Sequence, residues 1–207
     1  MNIGITGGIG SGKSRVCAAL AALLSASTVS ADAICRDLLV VNGKGWKGVH
    51  TFLGDEFFFS DGQIDRPQLR KALFSNCELR KQMDATLHPL VREALVEAAR
   101  EAKQQQRILL AEVPLLFEKG WQRDFDWTVL VFAGEETCIR RVVLRDLVSE
   151  EDARQALATQ MPLQEKIRLA GSVIDNSFSF AETLLQLNQL SQVIREGSLF
   201  SGPARRI

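Results

Sequence analysis

The sequence predicts an α/β fold, a doubly wound, five-stranded parallel sheet flanked by helices, and three observations predict it. Short apolar runs alternate with longer helical patterns along the chain, as strand–helix–strand crossovers require. Runs such as Ile108-Leu109-Leu110-Ala111 and Val129-Leu130-Val131-Phe132 are apolar on both faces, which suits a parallel strand covered by helices on each side. Gly7 to Ser14 read GGIGSGKS, a glycine, four residues, then Gly-Lys-Ser, set between an apolar run and a helical pattern. Strand, phosphate-binding loop and helix is the arrangement that gives this motif its meaning.

The first strand spans residues 3–6 and feeds the loop directly. Glycines let the chain wrap tightly, so the backbone N–H groups of Gly8, Ile9, Gly10, Ser11 and Gly12 point inward at phosphate oxygens. The helix over residues 15–24 adds its positive end at the same place. Lys13 reaches the β- and γ-phosphates, and the Ser14 hydroxyl ligates Mg²⁺. The second strand spans residues 28–31 and the third 108–113. The stretch between them is too long for a simple crossover and largely helical, over residues 33–41, 45–53, 67–74 and 78–103. Phe57, Phe58 and Phe59 form an extended piece running into an Asp61-Gly62 turn. Pro89 inside the last helical pattern predicts a break or a helix start there. This block predicts an inserted helical subdomain at about 36–104.

The fourth strand spans 128–132, and a second helical excursion, about 140–170 and rich in Arg, Glu and Gln, predicts a lid. Within it Ser149 caps a helix whose first turn is acidic, Glu150-Glu151-Asp152, and Pro162 opens the next. The fifth strand spans 172–174. The closing helix, 180–195, carries Leu184, Leu187 and Leu190 at helical spacing and packs on the sheet. The predicted core is therefore about 1–35, 105–139 and 171–200 of a single domain.

The chain has 207 residues, with Lys plus Arg balancing Asp plus Glu at 25 each. That balance lacks the basic excess of a nucleic-acid or membrane-surface protein, and the Arg205-Arg206 end reads as a frayed tail. No apolar run is long enough to span a bilayer, and no signal peptide is visible. Cys17, Cys35, Cys77 and Cys138 are scattered without a paired spacing, which argues against zinc and against a disulfide framework. Reduced, mostly packed cysteines imply the cytosol. The sequence does not set the oligomeric state.

A switch GTPase would carry Asn-Lys-x-Asp and Asp-x-x-Gly, and a transport ATPase Leu-Ser-Gly-Gly-Gln; all are absent. A small kinase needs a loop, an acceptor-holding insert, an arginine-bearing lid and often a carboxylate by the acceptor hydroxyl. Asp32, just past the second strand, lies at the sheet edge where α/β ligands collect. It reads equally as a group that takes the hydroxyl proton and as the N-cap of the helix from Ala33. Arg141 and Arg145 are four apart and share a helical face, as lid cations or as a solvated basic stripe.

The chain resembles the dephospho-CoA kinases over about residues 2–195. The resemblance rests on Thr6 to Ser14; Ser30-Ala31-Asp32 with Arg36; Phe52-Leu53-Gly54; Asp61-Gly62; and Asp65-Arg66-Pro67-Gln68-Leu69. It continues through His88-Pro89, Pro114 to Glu118, Arg141 with Arg145-Asp146, Gln160, and Val173 to Asn176. Four positions depart from the family's pattern: Ser30 for Asp, Arg15 for Thr, Glu112 for Asp and Gly171 for Asp.

The resemblance implies ATP-dependent phosphorylation of the ribose 3′-hydroxyl of dephospho-CoA, giving CoA and ADP, the last step of coenzyme A synthesis. It implies ATP as co-substrate with Mg²⁺, and no nucleic-acid or membrane partner. Asp32, Lys13, Arg141 and Arg145 are the implied catalytic set. Residues 8–15, Arg15 included, and Asn176 bind the nucleotide; Asp32, Arg66, His88, Leu115 and Glu118 bind the acceptor; Ser14 and Glu112 hold the metal. A hydrogen-bonded structural role competes for His88, helix capping for Glu112, and core packing for Leu115 with Leu116 and Phe117.

Overall fold

The structure, a computed structural model, describes residues 1–197 and 205–206. The end of the expected core segment, 198–200, lies outside the described residues. Two compact units emerge: Met1–Val29 with Ala99–Ile207, and Ser30–Ala98.

The first unit carries the sheet. Its strands are β1 (Asn2–Gly7), β2 (Ser27–Ser30, whose last residue begins the second unit), β3 (Leu109–Glu112), β4 (Trp127–Phe132), β5 (Ser172–Asp175) and β6 (Arg205–Arg206). The order is β2-β3-β1-β4-β5-β6, so β1 is central. It runs parallel to β3 and β4, with Ile5 opposite Glu112 on one side and Val129 on the other. The five expected strands are all present. The basic end differs from the expected frayed tail: Arg205 and Arg206 pair in parallel with Ser172 and Val173, taking up the backbone groups that β5 would otherwise leave unpaired at the sheet edge.

The apolar strand runs are buried because helices cover the sheet. Helix α1 (Lys13–Leu24) and α9 (Phe180–Arg195) pack over one face, where Val16, Leu20, Leu187 and Leu190 meet Ile3, Ile5, Leu110, Val129, Val131 and Ile174. Ser179 caps α9 by accepting from Glu182 N, and Glu182 reaches back to Ser179 N. The Ser179 hydroxyl and backbone N–H hold the Glu182 carboxyl below its usual range. Helices α6 (Glu135–Asp146), α7 (Glu150–Ala158) and α8 (Leu163–Leu169) fill the second helical excursion. Ser149 caps α7 through a capping box with Asp152, and Pro162 is the N-cap of α8, both at the expected places.

The second unit holds α2 (Ala31–Leu38), α3 (Lys44–His50), α4 (Arg66–Ser75) and most of α5 (Cys77–Gln104) around Val49, Leu53, Ile64, Leu69, Met83 and Leu87. The Asp-Gly turn is present: Gly62 has φ +81° and Phe58 bridges Ile64 in antiparallel fashion. Phe57 is not extended as expected but ends a 3₁₀ turn, Asp55–Phe57. The break expected at Pro89 does not occur, and α5 is one helix of 28 residues. Met83, Leu87, Val91 and Leu95, all buried at four-residue spacing, form a stripe whose burial offsets the backbone bond that proline removes.

Candidate active site

In the first unit, the loop between β1 and α1 is shaped by two left-handed glycines, Gly10 at φ +77° and Gly12 at φ +85°. Neither position has space for a side chain. A Cβ at Gly10 would lie 2.5 Å from the Cys138 carbonyl oxygen, and one at Gly12 would lie 2.4 Å from Asn176 Nδ2. Donors from outside take up the loop carbonyls. Lys13 Nζ donates to Gly8 O at 3.0 Å, Asn176 Nδ2 to Ser11 O at 2.7 Å, and Arg141 Nη1 to Gly10 O and Ser11 O at 3.4 Å each. Arg141 Nη2 also holds Asn176 O at 2.9 Å, and Asn176 Oδ1 accepts from Thr183 at 2.9 Å. With its carbonyls engaged, the loop offers an anion its N–H groups, reinforced by the start of α1.

Ser14 Oγ donates to Glu112 Oε1 at 2.7 Å. Sheet register explains the meeting: Glu112 ends β3 opposite Ile5, close to where β1 enters the loop. Burial, then the Glu112 charge, pushes the neighbouring Cys17 thiol up to about 12. Two hard oxygen ligands beside a phosphate cradle fit Mg²⁺, which keeps several waters and takes the rest of its shell from substrate phosphates. Among the described residues no cluster of three or more His, Cys, Asp or Glu could hold a metal by itself.

Three further first-unit residues make contacts away from the loop carbonyls. Arg145 does not join Arg141 at the loop; it makes two bonds to Asp146, at 2.8 and 2.7 Å, at an exposed position. That pairing raises its pKa. Arg15 stacks 3.7 Å over the Phe180 ring, a cation–π contact that ties α1 to α9. Glu118 accepts from Met161 N at 3.2 Å and lies 2.6 Å from Lys166 Nζ. Lys166 is 1% exposed, and although the pair touches, Lys166 Nζ and Glu118 Oε2 lack aligned hydrogen bonds among the described residues. Nothing in the polar run Gln164-Glu165-Lys166 signals a buried lysine. Leu115 is half-buried on the turn after β3, with Leu116 and Phe117 buried behind it.

A cavity of about 330 Å³ borders the loop, lined by Gly8, Ile9, Leu157, Gln160, Met161 and Lys166 among others. Gln160 Oε1 reaches the loop and accepts from Ile9 N at 2.9 Å.

In the second unit, Ser30 caps α2, accepting from Ala33 N at 3.4 Å. Asp32 is exposed in the first turn of that helix, and the capping role open to it in the sequence belongs to Ser30. Burial first, then Asp32 and Asp84, push the half-buried Cys35 thiol up, while Arg66 and Arg36 pull it down. Asp32 and Arg66 are thus charges felt at one thiol. His88 Nε2 lies 3.4 Å from Asp84 Oδ1, one of the same charges. Asp84, which also acts on Cys35, is a residue that motif spacing did not reveal.

Known proteins share this sequence pattern and fold. The family model described as dephospho-CoA kinase matches residues 1–182. A dephospho-CoA kinase of Desulfotalea psychrophila is 37% identical over 187 residues, covering 90% of this chain and 94% of that protein. A solved structure of a Thermus thermophilus protein superposes with a TM-score of 0.76 at 34% identity, covering 98% of both chains. The dephospho-CoA kinase from Campylobacter jejuni superposes with a TM-score of 0.72 at 26% identity, covering 95% of this chain and 98% of that one.

Proposed function

The chain belongs to the dephospho-CoA kinase family, and from that premise we propose how its residues divide the work of phosphorylating dephospho-CoA with ATP. The phosphate acceptor is the ribose 3′-hydroxyl, and the products are CoA and ADP. Phosphoryl transfer asks mainly for alignment and charge neutralisation around the γ-phosphoryl. The N–H groups of residues 8–14 that are not engaged elsewhere cradle the triphosphate, Ile9 N being held by Gln160 and Ser11 N by Gly8 O. Lys13, whose ammonium already folds over the loop to Gly8 O, swings to the transferring phosphate. Arg141 braces the loop and adds positive charge beside it. Ser14 and Glu112 would hold Mg²⁺, which would supply charge neutralisation at the phosphates. Asp32 holds the ribose alcohol and takes its proton, with Arg66 and His88 binding the acceptor's polar groups. Residues 36–104 serve as the acceptor-binding insert and 140–170 as the lid. A cytosolic setting suits the four free cysteines, and no helix among the described residues is long and apolar enough to cross a membrane.

The observation that carries this reading is the Ser14–Glu112 contact at 2.7 Å beside a loop whose carbonyls are already bound. The test incubates the pure protein with MgATP and dephospho-CoA and follows ADP and CoA together. The expected result is one CoA per ADP, with Lys13→Ala cutting turnover by about 10²–10³-fold, the scale of losing one transition-state donor, while its Tm stays near that of the wild type. A Lys13→Ala enzyme of near-normal rate removes the loop from the mechanism; ADP without CoA moves the activity to another acceptor.

A further inference from the structure

The turn joining α7 to α8 lies within the segment assigned above as the lid, where no single residue was given a role, yet it is tied down at adjacent residues. Gln160 Oε1 accepts from Ile9 N in the phosphate-binding loop at 2.9 Å. The next residue, Met161, donates its N–H to Glu118 Oε1 at 3.2 Å. Lys166, one turn into α8 and buried, brings Nζ within 2.6 Å of that same oxygen. We propose that Gln160 is a positioning residue for ATP: through the Ile9 N–H it holds the loop in its nucleotide-accepting shape, and the Glu118–Lys166 pair holds the backbone from which Gln160 reaches.

The loop needs such a strut. Gly7, Gly8, Gly10 and Gly12 make it the most conformationally free segment of the first unit, and ordering glycine costs more entropy than ordering any other residue. Lys13, Arg141 and Asn176 fix the loop from its carbonyls at Gly8, Gly10 and Ser11. Ile9 lies between those anchors; its side chain packs on Ile139, Val142 and Ala153, and its N–H is held by Gln160. The 330 Å³ cavity is lined by Gly8 and Ile9 of the loop and by Gln160 and Met161 of the turn, and the Gln160–Ile9 hydrogen bond joins the two beside it. A loop already shaped before ATP arrives spares the nucleotide the ordering cost and presents oriented dipoles to its phosphates.

This inference rests on residues 8–14 being the ATP cradle, which Lys13→Ala tests independently. Gln160→Met keeps the volume and removes the acceptor oxygen. It should raise KM for ATP about three- to tenfold, the scale of one net hydrogen bond. KM for dephospho-CoA should stay put, and kcat should fall by less than KM rises. Amide exchange at Ile9 in the nucleotide-free protein should be slow in the wild type, faster in Gln160→Met, and slow again in Gln160→Glu, which restores an oxygen. A KM for ATP that is unchanged or lower in Gln160→Met overturns the proposal, because a residue that merely blocked the loop would tighten ATP on removal. An unprotected Ile9 amide in the wild type overturns it too, without any variant having to fold. If Lys13→Ala behaves as expected and Gln160→Met does not, only the strut is lost.

Discussion

Ser30 and Asp32 separate two tasks that one carboxylate could have shared. Ser30 stands where the family usually has Asp, and its hydroxyl caps α2 by accepting from Ala33 N. Asp32 therefore enters the first turn without a capping bond to hold it, exposed and within electrostatic reach of Cys35 alongside Arg66. This division gives opposite signatures for two neighbouring substitutions. Asp32→Asn should lower kcat by about 10²–10⁴-fold, the usual scale of general-base loss, with little change in Tm. Ser30→Ala should lower Tm by the loss of a cap, about 1 kcal/mol, with kcat much less affected. Rate and melting measurements on both proteins check the pair, and an Asp32→Asn effect confined to Tm would return Asp32 to a structural role. At this scale the sequence was most legible where chemistry is written in one short string: Gly7 ends β1, residues 8–12 form the expected loop, Lys13 opens α1, and Ser14 donates to Glu112. It was least legible for long side chains. Arg141 and Arg145 share a helical face by spacing, yet the carboxylate next door, Asp146, captures Arg145. Nothing in a four-residue period encodes that competition. Glu118 likewise follows a family motif but is claimed by Lys166, a partner nearly fifty positions away in sequence (166 − 118 = 48).

Elements were legible where local signals agreed with packing. Ser149 and Pro162 opened their helices because capping and fixed φ are local effects. Pro89 misled because a local rule met a stronger tertiary one, the buried stripe of α5. Gly171 is the instructive departure from the family. It precedes β5, and a Cβ built on it would lie 2.5 Å from Trp127 Cε2 and 2.9 Å from Cδ2 and Cζ2. The indole cannot simply swing away, because its Nε1 donates to Ser172 Oγ at 3.0 Å and its ring packs against the main core. Here, then, Trp127 fills the space that a side chain at 171 would need. Gly171→Ala should destabilise by about 1–3 kcal/mol, the range for overpacking, and a smaller residue in place of Trp127 should recover part of that loss in the double variant. Thermal melts of the two single variants and the double check the coupling; additive losses would mean that the two positions do not compete for the same volume.

For the molecule as a whole, stability and chemistry sit at different places in the same unit. The loop, Lys13 and Glu112 lie at the end of the strands where β1 runs into the loop, while Leu110 lies on β3 opposite Ile3 of the central β1, fully buried in the cluster that holds Ile3, Val129 and Leu20. Leu110→Ala removes apolar contacts and leaves a cavity, which costs about 2–5 kcal/mol against a total domain stability of about 5–15 kcal/mol. Such a variant should melt well below the wild type yet keep its kcat at temperatures where it is folded, the reverse of Lys13→Ala. MgATP binds only the native state, so it should raise the Tm of Leu110→Ala, by about 2.7 kcal/mol in stability at a hundredfold excess over Kd. The same addition should do far less for Lys13→Ala, whose core is intact but whose grip on the phosphates is gone. Melting curves of the three proteins with and without MgATP therefore separate the two roles. A Leu110→Ala protein that gains no Tm from MgATP would show that the sheet centre and the loop are not independent, because the loop would then fail to hold its shape once the strand behind it loosens.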